Sequence, residues 1–477
     1  MTTAAADDGR DGVDGLGGAV AGAGPALVRR PRAGFTDDPV VPPLRLLAAL
    51  DLGGGRYLAV VADAAGSRWT VPLVRTTATA ATTAATTAAG SGGLRRAVAG
   101  DGVAQALVAR LAASPAGTVA TNPALGEGTV HVTTWFAEPA TGERAVAVDQ
   151  TNESVVVGER AVVKWTLRHP PDGVDARHPA PDRLAALAAA GFSGTPRPWG
   201  AVTLTPPGAT QPLLLATVVA YLPGALDGWD WAVADVRAHA RGELDLAAAL
   251  APAAAVGDLV ARLHLALAAG GTAPLRPQDA ATWTAQARAD LDEACRSVDG
   301  PEGARLAARA PRIAAGLLPL AGAAGTPVID VHGDLHVGQV LRHPDPGVPG
   351  GHAYAVVDLD GNPVLAPAER ARRRPAAVDV AGMLASLDHV GRVVLRSPPE
   401  VDAAVVERWI GWSEGAFLDR YRATLARHGA GDLLDERLLL PLRLHQECRE
   451  FLYAVRHLPH WRYVPDGALG RLLDDRG

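Results

Sequence analysis

The chain has 477 residues and a mass of 49.0 kDa, with 48% hydrophobic residues and a mean hydropathy of +0.09. This length and composition favour two or three folded units and exclude a chain that is disordered throughout. The net charge of −6 and the lack of long basic runs in the sequence predict no nucleic-acid partner and no membrane partner. Two cysteines without C-x-x-C spacing indicate neither a zinc site nor a disulfide framework.

The N-terminal residues are rich in Gly, Ala and Asp and lack the basic start and apolar core of a secretion signal. We therefore predict a flexible tail at 1–30 and a cytoplasmic protein. Apolar stretches such as 212–222 are shorter than the roughly 20 residues that a membrane span requires.

Short segments of mixed apolar and polar residues follow the tail, at 58–61, 69–74 and 130–135. Segments of this length, separated by Gly and by Ala/Thr linkers, predict strands. We therefore expect a β-rich N-terminal cap subdomain over residues 31–140.

The next segments predict a small lobe over residues 141–224. Two apolar runs, 154–157 and 161–167, are joined at Gly158 and predict a hairpin. An Ala/Leu-rich segment at 181–190 predicts a helix, and the apolar run 212–222 predicts a buried strand.

Long Ala/Leu/Arg segments dominate residues 225–477 and predict a helical C-terminal lobe, interrupted by two short strands between 328 and 360. The predicted helices include 256–269, 283–298, 401–428 and 438–458. The predicted fold class is therefore α+β, with a β-rich cap, a small lobe and a mostly helical lobe.

The strongest local motif joins two loops. Residues 332–339 read HGDLHVGQ, and the next apolar strand ends in DLDGN at 358–362. Asp334, Gln339 and Asp358 would bring carboxylate and amide oxygens together, as phosphoryl transfer with Mg²⁺ requires. We assign Asp334 as the base or orienter of an acceptor hydroxyl, with Gln339 and Asp358 as metal ligands and Asp360 as an additional ligand.

The motif H-G-D-L-H-x-G-Q-x-L with a later D-x-D-G-N-P resembles the bacterial maltokinases, within the aminoglycoside-phosphotransferase and protein-kinase-like fold. The resemblance extends from Asp149 to about Pro465. It implies a bilobal fold, ATP and Mg²⁺ as cofactors, and a hinge at 219–222 between the lobes.

The same resemblance implies an ATP site. Residues 149–156, DQTNESVV, resemble the maltokinase segment that replaces a glycine-rich phosphate loop, with Ser154 holding phosphate oxygens. Lys164 is the only lysine of the chain and matches the strand lysine that contacts the α- and β-phosphates. The backbone of Ala220 and Leu222 would meet adenine. Asp182 stands in place of the helix Glu that pairs with this lysine.

The last long helix differs from the maltokinase pattern. Where maltokinases have a lysine, this chain reads HQECREFLY at 445–453, so that a basic residue is replaced by Gln446 and a carboxylate is added. Glu447 or Glu450 would stabilise a cationic acceptor that a lysine would repel. This departure resembles the actinobacterial glucosamine kinases.

That resemblance implies phosphorylation of glucosamine at O6. Trp409 would stack on the sugar face, and Glu414 and Gln446 would bind hydroxyls. The small-molecule partner is then an amino sugar, and we predict a monomer.

Three other functions remain open on the sequence. The first is a maltokinase that makes maltose 1-phosphate, and the second is an aminoglycoside phosphotransferase. The third, from a different class, is a catalytically silent module that binds nucleotide or sugar. Loss of the lysine, the catalytic Asp or the metal ligands would indicate such a module, and the sequence retains all of them.

Overall fold

The computed structural model describes residues 10–29, 39–76, 93–146, 153–171, 177–348, 350–396 and 401–474. The chain divides into two compact units. The first comprises residues 1–181, 197–222 and 366–369, and the second comprises 182–196, 223–365 and 370–477. The passage from the first unit to the second after Leu222 lies close to the boundary predicted at 224.

The first unit consists mainly of strands. Its helices are α1 (Arg10–Ala23) and α2 (Val103–Ala112). Its strands are β1 (Arg45–Gly53), β2 (Arg56–Ala62), β3 (Arg68–Arg75), β4 (Leu94–Arg96), β5 (Thr118–Pro123), β6 (Leu125–Gly126), β7 (Thr129–Thr134), β8 (Glu143–Ala145), β9 (Glu153–Val157), β10 (Ala161–Trp165), β11 (Arg168–His169), β12 (Pro198–Thr205) and β13 (Leu213–Ala220).

The second unit is mostly helical, as the sequence predicts. Its helices are α3 (Ala180–Ala189), which begins at the end of the first unit, α4 (Gly228–Ala240), α5 (Leu246–Ala268), α6 (Pro277–Ser297), α7 (Gly300–Gly316), α9 (Ala377–Arg396), α10 (Ala403–Arg427), α11 (Leu439–His457) and α12 (Tyr463–Leu473). Its strands are β14 (Ala273–Pro274), β15 (Pro327–Val328), β16 (Val340–Pro344) and β17 (His352–Val356), and the short α8 (Pro367–Arg370) is divided between the units.

Two antiparallel sheets form the first unit. One has the strand order β11-β3-β2-β1-β6 with β4 on β3, and the other has the order β5-β7-β12-β13-β10-β9-β8. The boundary predicted between a cap at 31–140 and a small lobe at 141–224 is therefore wrong, because β5 and β7 pair into the sheet of β12 and β13. The periodicity of a strand does not reveal which distant strand it pairs with.

A shared core joins the two sheets. Leu58 and Val60 of the first sheet, Val132 and Val218 of the second and Leu107 of α2 belong to one buried cluster. The cap and the small lobe thus fold around the same apolar interior rather than as separate domains.

The N-terminal segment is ordered where it is described, which corrects the prediction of a flexible tail over that part. Helix α1 is followed by a 3₁₀ turn at Gly24–Leu27. Leu16 and Val20 lie four residues apart on one face of α1 and are fully buried with Leu27 against the first sheet. The sequence signal is weak because only a few apolar side chains stand among Gly and Ala. Residues 1–9 lie outside the described part.

One helix among the described residues, α5, is long and apolar enough to cross a membrane by length and composition alone. In the structure α5 packs along α10, and half of its apolar stretch is buried. It also carries Asp258, Arg262 and the fully buried His264. These features are those of a core helix in the second unit.

Candidate active site

The two loops of the HGDLHVGQ and DLDGN motifs meet at strands β16 and β17 of the second unit. The strands pair antiparallel, with Val340 opposite Val356. Beyond them, the N–H of Val357 donates to the carbonyl of Gln339 at 2.9 Å. This ladder brings Gln339 next to the residue that precedes Asp358, so the two predicted metal ligands start from neighbouring backbone positions.

Asp334 is half-buried on the first loop. Its Oδ1 accepts a hydrogen bond of 2.9 Å from Nδ2 of Asn362, which belongs to the second loop. Burial raises the pKa of the Asp334 carboxyl, as does the charge of Asp358, while His336, His332 and Arg449 lower it. A carboxylate whose pKa is raised accepts a proton more readily, and the bond from Asn362 fixes its orientation.

Asp358 is the first residue of the second motif and follows β17 by one residue. Its φ of 62° is in the left-handed region, which a residue with a Cβ seldom adopts, and its side chain is exposed. Backbone strain of this kind persists where the surrounding structure holds it, and it is concentrated at functional sites. The strained turn directs an acidic residue to the surface beside Asp360, which is half-buried.

The donor set of Gln339, Asp358 and Asp360 fits Mg²⁺. All three supply oxygen, and Mg²⁺ takes only one or two protein carboxylates and completes its shell with water and phosphate. No group of three His, Cys, Asp or Glu side chains close enough to hold a metal occurs in the described part of the chain. That finding is compatible with a metal that shares its ligands with ATP.

A buried chain of polar groups supports the first loop. Asp379, at the start of α9, accepts hydrogen bonds from the N–H groups of His332 and Gly333, at 2.7 and 2.8 Å. Its Oδ2 also lies 3.0 Å from Nε2 of His264, whose Nδ1 is 2.7 Å from the Tyr421 hydroxyl. Burial acts to raise the pKa of Asp379, but these partners lower it, so the carboxylate stays ionised and anchors the loop.

His332 and His336 have structural positions. The fully buried His332 lies with Nε2 2.8 Å from the Val357 carbonyl, and its Nδ1 accepts from the Asp334 N–H at 3.3 Å. His336 accepts from the N–H of Gly338 through Nδ1 at 3.1 Å. Both rings therefore shape the loop around Asp334 rather than react.

Sequence reasoning missed Arg183 and Asp379. Arg183 lies on α3, only 2% of it is exposed, and its guanidinium donates to backbone carbonyls of both loops. Burial lowers the pKa of Arg183 to about 10, so it remains a cation near neutral pH. The partners of Arg183 lie 149 and 176 residues further along the chain, and local sequence patterns do not reveal contacts at that separation.

The predicted phosphate-binding residues of the first unit, Ser154 and Lys164, lie on one hairpin. Strands β9 and β10 pair antiparallel, with Ser154 directly opposite Lys164, so both side chains project from the same face of the sheet. Gly158 and Glu159 form the turn, each with positive φ. Residues 149–152 of the phosphate-loop motif lie outside the described part.

The hinge prediction needs one correction. The N–H of Ala220 donates to the carbonyl of Arg197 at 2.8 Å, so a contact of the Ala220 backbone with adenine would have to be made by its carbonyl. The N–H of Tyr221 donates to the carbonyl of Arg160. Among the described residues, the N–H of Leu222 has no such partner and remains the better candidate. Asp182 belongs to the range of the second unit, and its predicted pairing with Lys164 stays a prediction.

Three of the predicted sugar-binding residues are enclosed in the helical core, which corrects their assignment. Trp409 is 4% exposed and donates from Nε1 to the carbonyl of Ala249 at 3.2 Å. Glu414 is 9% exposed and forms ion pairs with Arg443 and Arg471. These hydrogen-bond and ion-pair partners leave neither Trp409 nor Glu414 available to a sugar.

Glu447 is the third of these enclosed residues. It is fully buried, and its two carboxylate oxygens lie 3.1 and 3.0 Å from Nε2 of His389. Burial acts to lower the pKa of His389, but the charges of Glu447, Glu450 and Asp388 raise it to about 9. The charge of Glu447 is therefore already balanced by a protonated histidine, which removes it as the partner of an ammonium group.

Gln446 and Glu450 lie on the half-buried face of α11. Nε2 of Gln446 donates to Oε1 of Glu450 at 3.0 Å, as expected for residues four apart on a helix. Arg449 of the same helix is close enough to Asp334 for its charge to lower the pKa of that carboxyl. Helix α11, which carries Gln446 and Glu450, therefore lies close to the catalytic loop.

Two tryptophans add an aromatic group near this face. Trp229 and Trp461 are half-buried and meet edge to face with ring centroids 6.0 Å apart, and Trp461 also meets the His389 ring. A Cβ added to Gly338 would lie 2.8 Å from Nε1 of Trp229, so this ring touches the catalytic loop. No role is predicted for either residue from the sequence.

The acidic loops and their oxygen donors indicate a phosphotransferase that acts on a hydroxyl group. No family model matches the chain. A glucosamine kinase from Streptacidiphilus jiangxiensis is 54% identical over 460 residues, which cover 96% of this chain and 98% of that protein. A glucosamine kinase from Mycolicibacterium smegmatis is 41% identical over 432 residues, which cover 90% and 98%.

A solved structure of a glucosamine kinase in complex with glucosamine, ADP and inorganic phosphate is 53% identical and gives a TM-score of 0.79, covering 96% of this chain and 99% of that one. A second crystal form of a glucosamine kinase gives a TM-score of 0.81 at 53% identity, covering 96% and 99%. The chain belongs to the glucosamine kinase family. This finding confirms the family that the departure in the last helix predicts.

Proposed function

We propose that the protein transfers the γ-phosphoryl group of ATP to the O6 hydroxyl of glucosamine, giving glucosamine 6-phosphate and ADP. The observation that carries this proposal is the setting of Asp334, which is half-buried, oriented by Asn362 and approached by Arg449 of α11. Membership of the glucosamine kinase family supports the same acceptor.

The role of Asp334 is to orient the acceptor hydroxyl and take its proton as the O6–phosphorus bond forms. The bond between the γ-phosphorus and the β,γ-bridging oxygen breaks, and ADP leaves with that oxygen. Gln339, Asp358 and Asp360 would hold Mg²⁺, which when bound neutralises charge on the phosphate oxygens. Ser154 and Lys164 would bind the phosphates from the first unit. This division of roles corresponds to a bilobal, protein-kinase-like fold.

We assign Glu450 as the residue that binds the amino group of the substrate. Of the two carboxylates predicted for this role, Glu447 is balanced by His389, while Glu450 is half-buried and bonded to the neutral Gln446. A carboxylate that is hydrogen-bonded to a neutral amide rather than to a cation stabilises an ammonium group and gives no comparable gain to a neutral sugar.

The proposal is tested by ADP release from ATP and Mg²⁺ with glucosamine, glucose, N-acetylglucosamine, maltose and kanamycin. We expect a strong preference for glucosamine, and ³¹P–¹H correlation NMR of the product should place phosphate on O6. Preference for maltose or kanamycin would favour the alternative kinases, and no turnover with any acceptor would favour a silent binding module.

The variant Glu450→Gln tests the assignment of the amino group. We expect the KM for glucosamine to rise about tenfold, which corresponds to the loss of one charge-assisted hydrogen bond, while the KM for ATP stays unchanged. The matched control is Glu436→Gln, which removes an exposed carboxylate paired with Arg422 elsewhere in the helical unit. An unchanged KM for glucosamine in the Glu450→Gln variant would refute this assignment.

A further inference from the structure

A single buried guanidinium connects the two loops of the candidate active site. Nη1 of Arg183 donates to the carbonyl of His332 at 3.0 Å and to the carbonyl of Leu359 at 2.7 Å. His332 lies two residues before Asp334, and Leu359 lies between Asp358 and Asp360. One nitrogen atom therefore fixes the spacing between the loop of the catalytic Asp and the loop of the predicted metal ligands.

Two glycines lie against this side chain at the turns of the two loops. Gly333 and Gly361 both have positive φ, 81° and 72°. A Cβ at Gly361 would lie 3.2 Å from Nη1 of Arg183, and a Cβ at Gly333 would lie 3.6 Å from its Nη2. Each loop turns at a positive φ that glycine adopts without strain, and both turns lie against the same guanidinium.

Stability alone does not explain why an arginine occupies this position. Its Nε is buried and has no hydrogen-bond partner among the described residues. An unsatisfied buried donor destabilises the fold. The side chain is retained in spite of that cost, and what it contributes is two donated hydrogen bonds that tie the two loops together.

We propose that Arg183 is a positioning residue that sets the separation of the catalytic and metal-binding loops before Mg²⁺ and nucleotide bind. The inference rests on the proposed function. Arg183 does not touch the reacting atoms and acts through the backbone of the two loops. Groups that orient metal ligands in this way affect metal affinity more than they affect binding of the acceptor.

The test compares Arg183→Met and Arg183→Lys with the unmodified protein. We expect Arg183→Met to raise the Mg²⁺ concentration for half-maximal activity about 10- to 100-fold, with little change in the KM for glucosamine. Calorimetric titration of ADP with and without Mg²⁺ should show the same loss in the Mg²⁺-dependent part of the affinity, without any turnover. Arg183→Lys keeps the charge but lacks the planar fork, so it should recover part of the affinity.

The matched control is Arg309→Met. Arg309 is largely buried between α7 and α12, and its guanidinium also donates to a backbone carbonyl, that of Asp466. We expect this variant to lose thermal stability without any change in Mg²⁺ dependence. If Arg183→Met unfolds, the comparison is made with Arg183→Lys, which retains a buried cation.

Two results would overturn the inference. One is an Mg²⁺-dependent ADP affinity that is unchanged in both Arg183 variants, and the other is an equal change in the Arg309 control. A failure of the proposed function would be seen differently. The unmodified protein would then give no ATP-dependent phosphorylation of glucosamine, whereas the ADP titration would still report on the role of Arg183.

Discussion

The catalytic loops and helix α11 both belong to the second unit, but they hold their functional side chains in different ways. The loop of Asp334 is fixed through its backbone, which donates to the buried carboxylate of Asp379. The side chains of α11 are fixed by partners on other helices, such as His389 on α9 for Glu447. The backbone of the loop is therefore fixed independently of its functional side chains, whereas the availability of a helical side chain depends on which neighbour it meets.

The comparison of the catalytic loop with α11 predicts that the largest loss of activity follows substitution of Asp334. Asp334→Asn keeps the shape of the side chain but removes the proton acceptor, so we expect kcat to fall about 10³-fold. Single-turnover kinetics with ATP and glucosamine measure this loss, and circular dichroism should show an unchanged fold.

Asp419→Asn is the matched control, because Asp419 is exposed on α10 and its carboxylate pairs with Arg422 at 3.4 Å. Its kcat should remain within about twofold of the unmodified protein, as for a surface substitution away from the site. Retention of turnover in Asp334→Asn would contradict the assignment of the base.

Features that depend on neighbouring residues could be predicted from the sequence, and features that depend on distant contacts could not. The hairpin around Gly158 and Glu159 is found where predicted, and Ser154 lies opposite Lys164, because a hairpin is encoded by neighbouring residues. The pairing of β7 with β12 is not predictable in this way, since it joins segments more than sixty residues apart.

The residues of the candidate site also fall into those that the sequence reveals and those that only the tertiary fold reveals. The motif at 332–339 and Asp358 can be recognised from spacing alone, and their catalytic and metal-binding roles stay predictions. Arg183 could not, because an arginine on an Ala/Leu-rich helix reads as an ordinary surface residue and only the tertiary fold encloses it. The buried placement of Trp409 also depends on how α10 packs on α5.

A smaller effect is expected at α11 and concerns stability. The pKa of His389 in the folded protein is raised to about 9 by Glu447, while an unfolded histidine titrates near 6.5. A raised pKa gives stability that is fully present below about pH 6.5 and is lost as the pH rises through about 9. The free energy of unfolding should therefore fall across this interval by up to about 1.4 kcal/mol per pH unit.

Urea unfolding at pH 6 to 9 measures this slope. Glu447→Gln removes the charge that raises the pKa of His389, so the fall in unfolding free energy over that interval should disappear. Glu293→Gln, at an exposed carboxylate paired with Arg456, should retain the full slope. An identical pH profile in all three proteins would show that the His389–Glu447 pair does not titrate as described.

The smallest effect is expected at Trp409, where the structure and the sequence differ most. Trp409 lines a small apolar cavity with Trp231, Val337, Met383 and Phe417. Trp409→Phe would enlarge this cavity and leave the Ala249 carbonyl without its indole donor, so we expect a loss of about 1–2 kcal/mol in unfolding free energy.

The kinetic constants of Trp409→Phe should remain unchanged, because a residue that is 4% exposed cannot stack on a sugar without displacing its own neighbours. The informative comparison is with Trp461→Phe, since Trp461 is half-buried beside His389 and Trp229. If the aromatic group near α11 binds the sugar, only the second variant raises the KM for glucosamine. A rise confined to Trp409→Phe would restore the stacking role that its sequence position suggests, and α10 would then have to move to expose it.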